Sequence, residues 1–192
     1  YSSNGVTSHD VEITSGSDET VEFLNTKYRT ISGQKYDDLD GDGVRDSGEP
    51  GLENWTIYLD HNNNGVFDVG ETSTTTDGSG SYEFTDLSAD SYIVREVLPS
   101  GWTQTDPASG YYDIDLHTEY SATDIDFGNF ENVALSGYKF NDLNGDGEWD
   151  EGEPALNGWT INLGGDGSGS ATTGSGAWPE GYYEFSNLGP GT

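Results

Sequence analysis

The sequence predicts an all-β protein built of tandem Greek-key β-sandwiches, Ig-like or prealbumin-like. Three observations carry that expectation. No stretch sustains a 3.6-residue apolar period. Short alternating runs rich in aromatic and β-branched residues are separated by Gly, Asp, Asn, Ser and Pro. One pattern of residues recurs 104 positions later along the 192-residue chain.

The alternating runs place strands at His9–Ile13, Thr20–Leu24, Ile31–Tyr36, Trp55–Leu59, Ser81–Thr85, Ser91–Val97, Tyr111–Leu116 and Thr123–Phe127. A second set falls at Leu135–Phe140, Trp159–Leu163 and Tyr182–Phe185. Many short strands with turn-rich joints read as an antiparallel sandwich.

The repeat sets the domain boundaries. Gly33, Lys35, Asp38 and Trp55 each meet the same or an equivalent residue type 104 places on, and Phe23 and Asn25 meet Phe127 and Asn129. Residues 1–29 therefore read as the C-terminal strands of one domain, and 30–132 as a whole domain. Residues 133–192 read as the N-terminal part of a further one, which residues 1–29 of a neighbouring copy could complete.

Between the strands lie acidic loops. In Asp38–Glu49 (loop 1), oxygen side chains fall at positions 1, 3, 5, 9 and 12 (Asp38, Asp40, Asp42, Asp46 and Glu49), with Gly43 at position 6. This is the ligand rhythm of an EF-hand-type calcium loop. A hard cation of calcium's size gathers about six to eight oxygens, so the chain must wrap it, turn at a glycine and close with a carboxylate. Position 7, Val44, offers its backbone carbonyl. Loop 3 repeats the rhythm with Asp142, Asn144, Asp146, Glu148, Asp150 and Glu153. Loop 2 keeps it with Asp60, Asn62, Asn64, Val66, Asp68 and Glu71, where amides at positions 3 and 5 predict weaker binding. A fourth copy, around Gly164–Gly167, has lost the pattern and reads as a hairpin turn. The expected cofactor is Ca2+; the competing reading of each loop is a solvated acidic turn. Asp77 reads as a further ligand or a turn residue.

Acidic residues outnumber basic ones by 36 to 6, for a formal charge of −30. Nucleic acid and anionic membrane surfaces are poor partners for such a chain. The absence of cysteine excludes disulfides and thiolate metal sites. No apolar run is long enough to span a bilayer. His9, His61 and His117 stand in no metal or triad spacing, and Trp102 and Trp178 read as core residues.

Taken together, Gly33–Leu52, Trp55-Thr-Ile57, Thr76-Asp-Gly78, Tyr82-Glu-Phe84, Tyr92-Ile-Val94, Glu96, Pro99-Ser-Gly-Trp102 and Asp126-Phe-Gly-Asn129 resemble the B-type domain of serine-aspartate-repeat surface proteins. That domain is a relative of the collagen-adhesin B domain. The resemblance implies an extracellular, calcium-stiffened β-sandwich used in series at a cell surface, without enzymatic activity. It fits a subunit of a fibre or filament, or the rigid stalk of an adhesin. The reading from a different class is a calcium-binding accessory module of a secreted carbohydrate-active enzyme, because duplicated EF-hand-like loops also occur in the helical dockerins. Partners would be neighbouring copies joined head to tail, or adjacent domains of a longer chain.

Strand phase adds one constellation. Residues i, i+2 and i+4 share a face, so Lys35 joins Ile31 and Gly33, Glu96 joins Tyr92 and Val94, and Asn129 joins Ile125 and Phe127. Each apolar set points inward and carries its polar member with it. A buried ammonium next to a carboxyl could become a neutral nucleophile toward the carboxamide of Asn129. Domains similar to the collagen-adhesin B type often carry such a Lys–Asn isopeptide bond, with an acidic residue assisting. The plainer alternative is a Lys35–Glu96 ion pair with Asn129 hydrogen-bonded at a strand end. In the partial copies, Lys139 and Asn25 hold the matching positions, so head-to-tail copies could join Lys139 of one to Asn25 of the next.

Overall fold

The computed structural model describes residues 2–3, 16 and 25–191, and among these there is no helix. The strands are β1 (Ser2–Ser3), β2 (Asn25–Thr26), β3 (Arg29–Asp37), β4 (Thr56–Leu59), β5 (Ser73–Thr75), β6 (Ser81–Leu87), β7 (Ser91–Glu96) and β8 (Trp102–Asp106). They continue with β9 (Tyr112–Asp115), β10 (Ser121–Ala122), β11 (Phe127–Glu131), β12 (Val133–Tyr138), β13 (Thr160–Leu163), β14 (Gly169–Thr172) and β15 (Tyr182–Leu188). The expected strands His9–Ile13 and Thr20–Leu24 lie outside the described residues.

Two compact units interleave in sequence. The first comprises Tyr1–Tyr36, Pro50–Val97 and Asp106–Phe127. It holds a four-stranded sheet of order β5-β4-β7-β9, antiparallel throughout. In a second sheet, β3 pairs parallel with β10 and antiparallel with β6. Within the first unit, the two sheets meet face to face. Ile31, Tyr82 and Phe84 of one and Ile57, Leu59 and Val94 of the other are buried, and Tyr112 of β9 meets Phe127 edge-on with ring centres 5.4 Å apart. Alternation drives this arrangement, because every second residue of a half-buried strand must be apolar.

The strand expected at Thr123–Phe127 is not formed. Strand β10 ends at Ala122, β11 begins at Phe127, and Asp124 between them has a φ of +60°. A left-handed residue breaks the extended path. The segment instead brings the Ile125 carbonyl against Gly33, where any Cβ would collide with it. Gly33→Ala is therefore expected to lose about 1–3 kcal/mol by overpacking, read as a fall in denaturant midpoint. An unchanged midpoint would show that the backbone there yields freely.

The second unit comprises Asp37–Glu49, Leu98–Thr105 and Gly128–Thr192. Its β12 pairs with β15, and β13 with β14 across the Gly164–Gly167 turn. The hydrogen bonds around Lys139 repeat those around Lys35. Lys35 N donates to Gly80 O at 2.7 Å, and Lys139 N donates to Gly181 O at 2.8 Å. The Thr76 hydroxyl donates to Leu52 O at 2.6 Å, and that of Thr173 to Leu156 O at 2.7 Å. Trp178, expected in a core, is 39% exposed and stands edge-on to Tyr182.

Candidate functional site

All three acidic loops close by the same hydrogen bonds. The first carboxylate collects amides from its own loop. Asp38 accepts from Gly41 and Asp42 on Oδ1 and from Gly43 on Oδ2; Asp60 accepts from Asn64 and Gly65, and Asp142 from Gly145 and Gly147. The last carboxylate ties both ends together. Glu49 accepts from Leu39 N at 2.8 Å and Asp46 N at 3.0 Å, Glu71 from His61 and Asp68, and Glu153 from Leu143 and Asp150. At position 5, the side chains of Asp42, Asn64 and Asp146 each accept from the amide two residues on, in Val44, Val66 and Glu148, at 2.8 Å. Gly43, Gly65 and Gly147 have φ between 76° and 84°, which a side chain would resist.

Loop 1 concentrates charge. Carboxylate oxygens of Asp38, Asp40 and Asp42 lie within 4.8 Å of one another. At about 4 Å, two like charges repel by roughly 1 kcal/mol in water and roughly 4 kcal/mol near a protein surface. An all-oxygen donor set that crowds negative charge fits a hard divalent cation. Burial pushes the Asp38 carboxyl up, yet the neighbouring Thr105 hydroxyl and the amides of Gly43, Gly41 and Asp42 hold it below the ordinary range. In loop 3, the Asn144 carboxamide donates to Asp146 and Asp150 at 2.9 Å, and the Trp149 indole donates to Glu153 O. Asp77 accepts from the Ser79 and Ser81 amides, the role of a turn residue.

Loop 2 differs. The Arg95 Nε donates to Asp60 Oδ2 at 2.8 Å, and its Nη2 donates to Asn63 Oδ1 at 2.8 Å. The carboxamides of Asn62 and Asn64 both donate to Asp68 Oδ2, at 3.0 and 2.8 Å. Burial pushes the Asp60 carboxyl up, while the Gly65 amide, the Arg95 guanidinium and the Asn64 amide bring it below its usual value. The sequence pattern did not single out Arg95. Its only signal was a cation at the outward position between Val94 and Glu96.

The second constellation surrounds Lys35, which is fully buried. Its Nζ lies 3.7 Å from Glu96 Oε2, donates to Phe127 O at 3.0 Å and Tyr36 O at 3.2 Å, and stands 4.6 Å from the centre of the Trp55 ring. Carbonyls, a carboxylate and an aromatic face together offset part of the cost of burying an ammonium. Asn129 is fully buried on β11, two residues beyond the Phe127 carbonyl that Lys35 contacts. Lys139 adopts the same pose on a more open face, donating to Phe140 O at 3.2 Å over the Trp159 ring at 5.5 Å. Asn25 lies on β2, paired with Ser3.

Residues 29–131 match the family model described as the SdrD B-like domain. This chain belongs to that family. A serine-aspartate repeat-containing protein F of Staphylococcus epidermidis is 30% identical over 185 residues, which cover 88% of this chain and 11% of that protein. Serine-aspartate repeat-containing protein D of Staphylococcus aureus is 29% identical over 169 residues, or 82% and 12% of the two chains. The chain thus spans about a tenth of the length of these relatives. Among solved structures, a streptococcal ancillary pilin covers 93% of this chain and 57% of its own, with 18% identity and a TM-score of 0.42. The place of this SdrD B-like chain is extracellular, at the cell surface.

Proposed function

We propose that this chain is a non-enzymatic structural module of a surface fibre or filament, a β-sandwich repeat stiffened by calcium and locked by a Lys–Asn bond. The observation that carries the calcium reading is the convergence of Asp38, Asp40 and Asp42 in loop 1. There the cation would be held by Asp38, Asp40, Asp42, Asp46, Glu49 and the Val44 carbonyl. In loop 3 it would be held by Asp142, Asn144, Asp146, Asp150, Glu153 and the Glu148 carbonyl. Calcium would neutralise carboxylates that otherwise repel and so tie each loop to its flanking strands.

The lock is supported by the burial of Lys35 beside Glu96. With its proton passed to Glu96, Lys35 Nζ attacks Cγ of Asn129. An Nζ–Cγ bond forms, Nζ gives a second proton to the leaving Nδ2, the Cγ–Nδ2 bond breaks, and the first proton, held by Glu96, leaves with the ammonia as ammonium. Intact-mass measurement under denaturing conditions tests this. The chain is expected one ammonia lighter than its sequence, with Lys35→Arg and Asn129→Ala each restoring full mass. Full mass in the unsubstituted chain would leave only the ion-pair reading. Between copies, Lys139 and Asn25 hold the matching positions, but residues 133–192 and 1–29 supply no counterpart of Glu96, so a bond there would need another acid; a ladder of covalent multimers on a denaturing gel of native material would report it.

The relatives' length favours a second reading, the rigid spacer of a longer adhesin, since the match covers only 11–12% of those proteins. The carbohydrate-active-enzyme module loses ground, because the described residues contain no helix of the dockerin kind.

A further inference from the structure

We infer that Arg95 is the resident cation of loop 2, so that this loop closes without calcium and leaves the metal to loops 1 and 3. The second half of this inference rests on the calcium reading above; the first half does not.

In a calcium loop, the position 1 carboxylate faces the ion. Asp60 accepts amides of its own loop as Asp38 and Asp142 do in the other loops, but among the described residues Asp60 alone of the three also accepts from a guanidinium, that of Arg95. The sheet sets the position of Arg95. Arg95 pairs with Tyr58 across β4 and β7, and Asp60 lies two residues beyond Tyr58. The guanidinium also lies over the Tyr111 ring, 4.4 Å from its centre, and reaches Asn63 on the rim of the loop. A planar fork held at several points is hard to displace.

The rest of the loop agrees. Asn62 at position 3 donates to Asp68 as Asn144 does to Asp150 in loop 3, but in loop 2 a second carboxamide, that of Asn64 at position 5, donates to the same Asp68 oxygen. Loop 2 has three carboxylates, Asp60, Asp68 and Glu71, whereas loop 1 has five. One guanidinium and two carboxamides therefore answer a smaller charge. Loop 1 crowds Asp38, Asp40 and Asp42 together instead.

Counting bound calcium by native mass spectrometry tests the inference in the intact chain, together with thermal melts in excess chelator. The unsubstituted protein is expected to hold two calcium ions, and Arg95→Met, which keeps an apolar stem against Tyr111, a third. In chelator, Arg95→Met is expected to melt several degrees lower, with Arg95→Lys recovering part of the loss. Three ions in the unsubstituted protein, or a chelator melt unmoved by Arg95→Met, overturns the inference. If neither protein holds calcium, the calcium reading fails. The chelator melt then decides the latch alone, a lower melt supporting it and an unmoved one overturning it.

Discussion

Excess chelator is expected to lower the melting temperature of this chain by roughly 10–20 °C. A ligand that binds only the folded state stabilises it by about 2.7 kcal/mol per site at a hundredfold excess over Kd. Two occupied loops thus contribute about 5 kcal/mol, and in a chain of this size each kcal/mol moves the midpoint by roughly 2–4 °C. The charge of −30 works in the same direction. Without bound cations, folding brings carboxylates such as Asp38, Asp40 and Asp42 within 4.8 Å of one another, with loop amides and the Thr105 hydroxyl to offset their repulsion but no positive charge from a bound ion. Asp38→Asn with Asp142→Asn should remove most of the difference between the two melts. A melt indifferent to chelator would show that the loops are acidic turns closed by their own amides.

Glu96→Ala is expected to act twice. Without the carboxylate, the Lys35 ammonium keeps its carbonyl contacts to Phe127 and Tyr36 but loses the charge partner at 3.7 Å. Stranding one half of a buried ion pair costs about 3–5 kcal/mol. The same substitution removes the group proposed to carry the proton, so the chain should retain its full mass. A cross-link closing a loop of this length restricts the unfolded chain by about 4–5 kcal/mol on the chain-entropy model. Intact mass and chemical denaturation together separate the two effects. If Glu96→Ala still loses ammonia, Glu96 is not the assisting acid. If it keeps full mass and unsubstituted stability, neither the ion pair nor the bond contributes.

The inward facing of Lys35, Glu96 and Asn129 was legible because a strand alternates with period two, so three short apolar runs fix the side of every residue within them. All three are buried in the fold. The alternation rule failed where the backbone leaves the extended region. Thr123–Phe127 has the right composition, but Asp124 is left-handed and the strand starts only at Phe127. Strand β8 escaped notice because Trp102–Asp106 carries only one apolar residue, and its pattern resembles that of a turn. Trp178 misled for the opposite reason: a large apolar side chain predicts burial on average, not at a given site.

Local order settled much of this protein before any fold was considered. A twelve-residue ligand rhythm and a two-residue strand period are properties of consecutive residues, set by backbone geometry and side-chain chemistry, and both are written out twice at a spacing of 104. What the tertiary structure alone decided is which distant groups meet. Arg95 reaches Asp60 from 35 residues away, the Ile125 carbonyl closes on Gly33, and the Phe127 carbonyl receives Lys35 from 92 residues away. Such meetings depend on sheet register and on how two sheets face one another. Those are outcomes of packing the whole core at once, and no window of sequence contains them.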